Sequence, residues 1–213
     1  MRITAIAAIC VLLLTFFVSV YFYGQVPDVM ASHWNAQGEV DGYMPKFWVL
    51  FLVPFISVGL FLLFIAVPKM DPLRANIKKF MKYYERFVLL VLAFLFYVHV
   101  LTLSWGLGIR FNIIQALSPA FGILFFYCGV LVANAKQNWF IGIRTPWTMS
   151  SEKVWDKTHR LGGRLFKASG IIAFFGVLAP DYAILLVLAP VIIFLVYTVV
   201  YSYFEYKKYQ KEK

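Results

Sequence analysis

Carboxylates and imidazoles close together in a chain are the side chains best suited to proton transfer or cation binding, and this sequence gathers them in two places. The first is the segment 24–46, GQVPDVMASHWNAQGEVDGYMPK, which carries Asp28, His33, Glu39 and Asp41 among turn-forming glycines. Four such groups could hold a cation, but no recognised ligand spacing is present and no metal is expected. The plainer reading is a folded loop, with Asp28 and Asn35 capping turns, Trp34 and Tyr43 in an aromatic belt, and His33 hydrogen-bonded locally.

The second place is the stretch from Asn138 to Gly163, NWFIGIRTPWTMSSEKVWDKTHRLGG. Arg144, Thr145 and Pro146 give an extended approach, because the residue before proline avoids the α region, and Thr148 or Ser150 is expected to cap a helix running from Ser151. On that helix Val154, Thr158, Leu161 and Leu165 form an apolar stripe. Lys153, Lys157, Arg160 and Arg164 form a basic one, suited to phospholipid or an acidic partner. Glu152, Asp156 and His159 form a third, which sets two carboxylates within reach of an imidazole. A hydrolase would also need a nucleophile or a metal. Cys10 and Cys128 sit in apolar stretches as packing residues and no HExxH-type spacing occurs, so no enzyme activity and no cofactor are expected. Trp139, Trp147 and Trp155 read as interfacial anchors.

The elements that must position these residues follow from composition. Of 213 residues, 62% are hydrophobic and 14% charged, far from the balance of a water-soluble domain. Apolar runs recur at lengths able to cross about 30 Å of hydrocarbon. The spacing predicts an all-α polytopic membrane protein with six transmembrane helices at about 3–23, 47–67, 87–106, 114–134, 165–180 and 182–203. The fifth looks short, but residues from Leu161 could extend it on the cytoplasmic side, with Lys167 snorkelling to the interface. Residues 1–213 read as one integral membrane domain with an external loop at 24–46, a cytoplasmic interface segment at 68–86 and a cytoplasmic loop at 135–164. In the interface segment Asp71 and Pro72 resemble a helix N-cap and first turn, and Leu73, Ile77, Phe80 and Tyr84 share the face that would lie on the membrane.

Charge placement orients the chain. All of the 20 Lys and Arg except Lys46 and Arg110 fall on the side of the termini, so the positive-inside rule predicts both termini in the cytoplasm. That placement accounts for the net charge of +10 without nucleic acid, and the tail lysines Lys207, Lys208, Lys211 and Lys213 are expected at anionic headgroups of the lipid bilayer. One ionisable group remains inside a span, His99, a candidate proton relay or ligand contact unless it bonds to Thr102, Ser104 or another span. With Asn112, Gln115 and Asn134 it supports an alternative reading as a small ion-coupled transporter, although no paired interrupted spans are visible.

The segment VPDVMASHWNAQGEVDGYMPK resembles the His-Trp-Asn, Gly, Asp-Gly pattern of the N-terminal part of the SdpI family, and NWFIGIRTPWTMSSEKVWDKTHRLGGRLFKASG is similar to that family's cytoplasmic loop, with IGIRTPWT, the SE.VW core and the TH..GG ending all present. The resemblance implies a cell-membrane immunity protein that gives resistance to a secreted peptide toxin. It also implies signal transduction, in which a soluble ArsR-type transcriptional repressor is held at the membrane. By matching positions it would place His33, Trp34, Asn35, Gly38, Asp41 and Gly42 on the toxin-facing side. Arg144, Thr145, Pro146, Trp147, Glu152, Trp155, His159 and Arg160 would then form the inner face for the regulator.

Overall fold

The structure is a computed structural model that describes residues 2–212, with side chains from Thr4 onward; Lys213 lies outside the described residues. Six long helices, α1 (Arg2–Phe22), α2 (Lys46–Met70), α3 (Arg74–Gly106), α4 (Ile113–Asn134), α6 (Glu152–Phe174) and α7 (Ala183–Lys211), are joined by a β-hairpin and short connections. One of these connections holds the short helix α5 (Pro146–Met149). All six long helices give segments long and apolar enough to cross a membrane.

Their surfaces suit lipid as the solvent. Leu13, Phe17, Leu62 and Ile193 are exposed, whereas Thr15, Ser19, Ser57, Ser118, Ser169, Thr198 and Ser202 are buried. This inverts the usual arrangement of a water-soluble protein. The buried hydroxyls remain satisfied because Thr15, Ser57, Ser118 and Ser169 each donate to the carbonyl one turn back on their own helix. Cys128 is half-buried, but Cys10 is exposed on the lipid-facing side of α1, which corrects its reading as a packing residue.

The helices fall into two groups of three. In the first, α1 and α2 pack on α3; in the second, α6 packs on α4 and α7, and α3 meets α4 between the groups. The closest approach is between α4 and α6. A Cβ at Gly129 would lie 2.5 Å from the Gly163 carbonyl oxygen, and one at Gly170 would lie 2.5 Å from that of Gly122. Two glycine pairs spaced seven residues apart therefore let these helices run in backbone contact, a packing mode favoured where lipid gives helices no hydrophobic reason to associate.

Three expectations change. First, the external loop is not irregular: β1 (Val29–Trp34) pairs antiparallel with β2 (Val40–Pro45). The segment HWNAQGEV carries the signal, a short run with Asn and Gly between strand-forming residues. Second, 68–86 is not a separate interface helix. Its helical part is the start of α3, whose 33 residues, kinked at Phe80, are about 50 Å long and outrun the hydrocarbon. Ile77, Phe80 and Tyr84 do share a face, but it is buried in the protein core and not laid on lipid. Third, the fifth span is not short, because α6 begins at Glu152 and continues through a 3-10 turn to Leu178.

Candidate functional site

At one end of the bundle the hairpin sits on the ends of α2 and α3. Asn35 makes its turn: Oδ1 accepts the amides of Gln37 and Glu39 at 3.0 and 2.9 Å, and the Asn35 amide donates to the Glu39 carbonyl at 2.8 Å. Gly38 has φ +82°, which disfavours any side chain, and it lies against Asn112. The Asn112 amide reaches the Gln37 carbonyl at 3.2 Å, tying the turn to the start of α4. Gly42 stands opposite His33, where a Cβ would come within 2.9 Å of the His33 Cβ. That close pairing lets His33 Nδ1 meet Asp41 Oδ1 at 2.5 Å in an exposed pair. Trp34 packs edge-on against Trp105 at 5.8 Å, and Arg110 lies over the Trp105 ring. All six residues singled out in this segment thus shape or display the hairpin. Asp28 caps no turn; it pairs with Lys46 at 2.9 Å, and that hydrogen bond holds its carboxyl below the usual carboxylate range.

At the other end the connection between α4 and α6 winds between the two helix groups without regular structure until α5, so its backbone must find partners in side chains. It does so almost group by group. Asn138, fully buried, accepts the amides of Phe140 and Ile141 on Oδ1 and donates to the carbonyls of Lys136 and Ile141. Gln137 donates to the carbonyls of Thr148 and Met149. Thr145 caps α5 in a reciprocal capping box with Thr148, whose hydroxyl also bonds the Ile143 carbonyl. Ser151, and not Thr148 or Ser150, caps α6.

His159 completes the set. Its Nε2 accepts the Ile143 amide at 3.0 Å, and its Nδ1 lies 2.9 Å from the Trp155 carbonyl, so it is a neutral imidazole with the proton on Nδ1. The ring stacks on Trp155 at 3.8 Å, and the Trp155 indole donates to the Ala135 carbonyl at 2.9 Å. Gly142, at φ +116°, leaves room for the imidazole where a Cβ would collide with Nε2.

The expected triple of Glu152, Asp156 and His159 is therefore not formed. His159 points inward and is buried, Asp156 pairs with Lys136 at 3.5 Å, and Glu152 is exposed. The basic stripe is also partly committed, since Lys153 meets Glu212, just past the end of α7, at 2.7 Å and Lys157 meets Glu205 of α7 at 2.6 Å. Lys153 thereby holds the Glu212 carboxyl below its ordinary value. Trp155 is buried and cannot be an interfacial anchor, whereas Trp139 is exposed as expected of one. Of the eight residues singled out in this loop, Thr145, Trp155 and His159 are buried, leaving Arg144, Pro146, Trp147, Glu152 and Arg160 at least partly accessible.

The residue that sequence reasoning missed is Asp71. It is buried, accepts the Leu73 amide on Oδ1 at 2.6 Å and takes the Trp139 amide on Oδ2 at 2.8 Å, so it fastens the α2–α3 connection to this loop. The Asn76 side chain adds a bond to the Gln137 carbonyl at 2.9 Å. An Asp-Pro pair reads naturally as a helix start, and only the long-range partner reveals the other use.

His99 is buried where α1, α2 and α3 meet. Its Nε2 is 3.0 Å from Ser19 Oγ, which itself donates to the Leu50 carbonyl at 2.6 Å, so Nε2 is the donor. The bare Nδ1 has no partner among the described residues. Thr102 and Ser104 are not its partners; each bonds its own helix. Asn112, Gln115 and Asn134 are likewise engaged, with the turn and the α4 cap, with the Val177 carbonyl at 2.8 Å and with the Val130 carbonyl at 2.8 Å. Among the described residues no three His, Cys, Asp or Glu side chains gather as a metal site.

Comparison with known proteins matches two stretches of the chain, one holding the hairpin and the other the α4–α6 loop. Residues 10–58, spanning most of α1, the hairpin and the start of α2, match a domain of unknown function (DUF1648), and residues 134–202 match the SdpI/YfhL protein family. No solved structure matches the chain. The chain is similar to the immunity protein SdpI of Bacillus subtilis (strain 168), at 27% identity over 204 residues, which cover 95% of this chain and 96% of the relative. With both regions in order and the likeness running nearly end to end, this multi-pass membrane protein resembles the SdpI family along almost its whole length.

Proposed function

We propose that this chain is a cell-membrane immunity protein that engages a secreted amphipathic peptide toxin at its hairpin end. The observation that carries the reading is the end-to-end similarity to a protein named for immunity, across both the hairpin region and the helical loop region. The geometry of the hairpin supports engagement at this end. The hairpin is braced from below by Asn112 and Trp105 and displays His33 and Asp41 to solvent, a rigid platform with an ionisable pair on top. With the positive-inside orientation, that platform faces outward, toward a secreted peptide.

The test is survival of toxin-sensitive cells that express the chain and are challenged with a purified secreted amphipathic toxin. Wild type should protect, and a His33→Ala variant at equal membrane level should protect at least about tenfold less in the dose required. No protection by wild type would refute the immunity reading; equal protection by both would refute the His33 platform.

In the same reading a soluble regulator of the ArsR type docks at the opposite end. Buried Thr145, Trp155 and His159 are out of reach there, so its contacts fall on Arg144, Pro146, Trp147, Glu152 and Arg160. A reporter that responds in wild type and in a Glu152→Lys, Arg160→Glu double variant alike would refute that surface. One observation favours a second reading as a small ion-coupled transporter, the bare Nδ1 of His99 within the bundle. Solute or proton flux in vesicles that is lost in His99→Leu would select it.

A further inference from the structure

A cavity of about 540 Å³ opens between the two helix groups at the loop end, walled by Phe64, Tyr84, Phe87, Leu131, Phe166 and Leu195. Its size and apolar lining are those of a ligand site between helices of a bundle. The polar groups on its walls are already engaged: the Tyr84 hydroxyl donates to the Phe64 carbonyl at 2.9 Å, Thr198 bonds its own helix, and Thr145 is held by Ser202 and Thr148. Arg144 is the single charged residue of the lining. One of its terminal nitrogens donates to the Trp139 carbonyl, which fixes the guanidinium at the loop, and its other N–H groups have no partner among the described residues. The acid nearest in sequence, Glu152, is not part of the cavity, so nothing in the lining balances the charge.

We propose that this cavity seats an acyl chain of an anionic phospholipid, with the headgroup phosphate on Arg144. Charge and shape together choose the occupant. A free phosphate would satisfy the guanidinium and leave the apolar volume unfilled; a zwitterionic lipid would fill the volume and meet the guanidinium with less net attraction. An anionic lipid does both, and it reaches the site from the bilayer. Basic pockets between membrane-crossing helices bind such headgroups on the same grounds. The site does not depend on the immunity reading.

The experiment is native mass spectrometry of the full chain in mild detergent, mixed with equal amounts of phosphatidylglycerol and phosphatidylcholine of matched chain length. The expected result is retention of phosphatidylglycerol over phosphatidylcholine by at least about tenfold: both carry a phosphate, but the choline ammonium cancels the net charge that the guanidinium attracts. Arg144→Gln should bring the two lipids to parity. Val199→Trp, which fills the cavity and keeps the guanidinium, should lose both. A surface control, Lys207→Gln, should behave as wild type. Equal retention of both lipids by wild type, a preference that survives Arg144→Gln, or displacement of phosphatidylglycerol by millimolar inorganic phosphate alone would each overturn the proposal.

Discussion

Replacing Asp71 should release the α4–α6 loop without disturbing the spans. The carboxylate accepts two backbone amides, from Leu73 at 2.6 Å and from Trp139 at 2.8 Å. A hydrogen bond to a charged group contributes about 1.5–3 kcal/mol. Both donors lie in partly exposed residues, so water can replace some of what is lost, and Asp71→Ala should cost about 2–4 kcal/mol in total. Asp71→Asn keeps one acceptor oxygen and turns an amide donor toward the second N–H, so it should cost about half as much. For a chain of this size the alanine variant should melt on the order of 10 °C lower in detergent. Hydrogen exchange gives the local readout: the Trp139 amide, and with it the segment 136–145, should exchange faster in Asp71→Ala, with Asp71→Asn intermediate. Unchanged protection of Trp139 in Asp71→Ala would refute the fastening role, whatever the melting temperature does.

Gly129→Leu should separate α4 from α6, because even a Cβ there lies 2.5 Å from the Gly163 carbonyl; a thermal melt should show a loss of about 1–3 kcal/mol, while Gly59→Ala, facing open space inside α2, should melt at or slightly above wild type. His159→Leu should cost about 2–4 kcal/mol by the same measurement, from the orphaned Ile143 amide and the lost stack on Trp155, and Ile143 should lose exchange protection. Asp28 has its carboxyl held low by Lys46, so the pair contributes above the ordinary value of 3.8 and is lost as pH falls through the lower folded value. The gap in melting temperature between wild type and Asp28→Asn should therefore be present at neutral pH and close in strong acid; a gap independent of pH would exclude the ion pair as its cause.

The six spans were legible because apolar runs about 20 residues long have one stable use in lipid. Residues with local jobs were legible for a similar reason: Asn35 turns the hairpin, and the stripe of Val154 and Thr158 faces inward on α6. What was hidden depends on partners far away in sequence. His159 is grouped with Glu152 and Asp156 by helical periodicity, yet its ring is claimed by Ile143 and Trp155 from the inner side. The β-hairpin was masked by its short strands and its glycines, and Asp71 by the ordinary meaning of Asp-Pro. Lys153 and Lys157 looked free because their acids, Glu212 and Glu205, lie more than 40 residues away, just past the end of α7 and within it.

The loop's dense patterning has a physical cause that separates scaffold from function. An irregular connection partly buried among membrane-spanning helices can leave few of its amides and carbonyls to water, so the buried ones need a side chain of fixed type in a fixed place. Asn138, Gln137, Thr145, Thr148, Trp155 and His159 fill those places from within the loop and α6, and Asp71 fills one from across the bundle. These residues would be required whatever the protein binds. Arg144 is different: it gives one bond to the loop and keeps a charge at the mouth of an apolar cavity, which backbone satisfaction alone does not demand. On the hairpin the same distinction isolates His33 and Asp41, since Asn35, Gly38 and Gly42 build the turn and the pairing while the imidazole and carboxylate stand exposed above them. Substitutions in the first set should fail together in stability and in function. Those at Arg144, His33 and Asp41 should leave the melting temperature within about 2 °C of wild type, as surface positions do, and alter only what the protein binds.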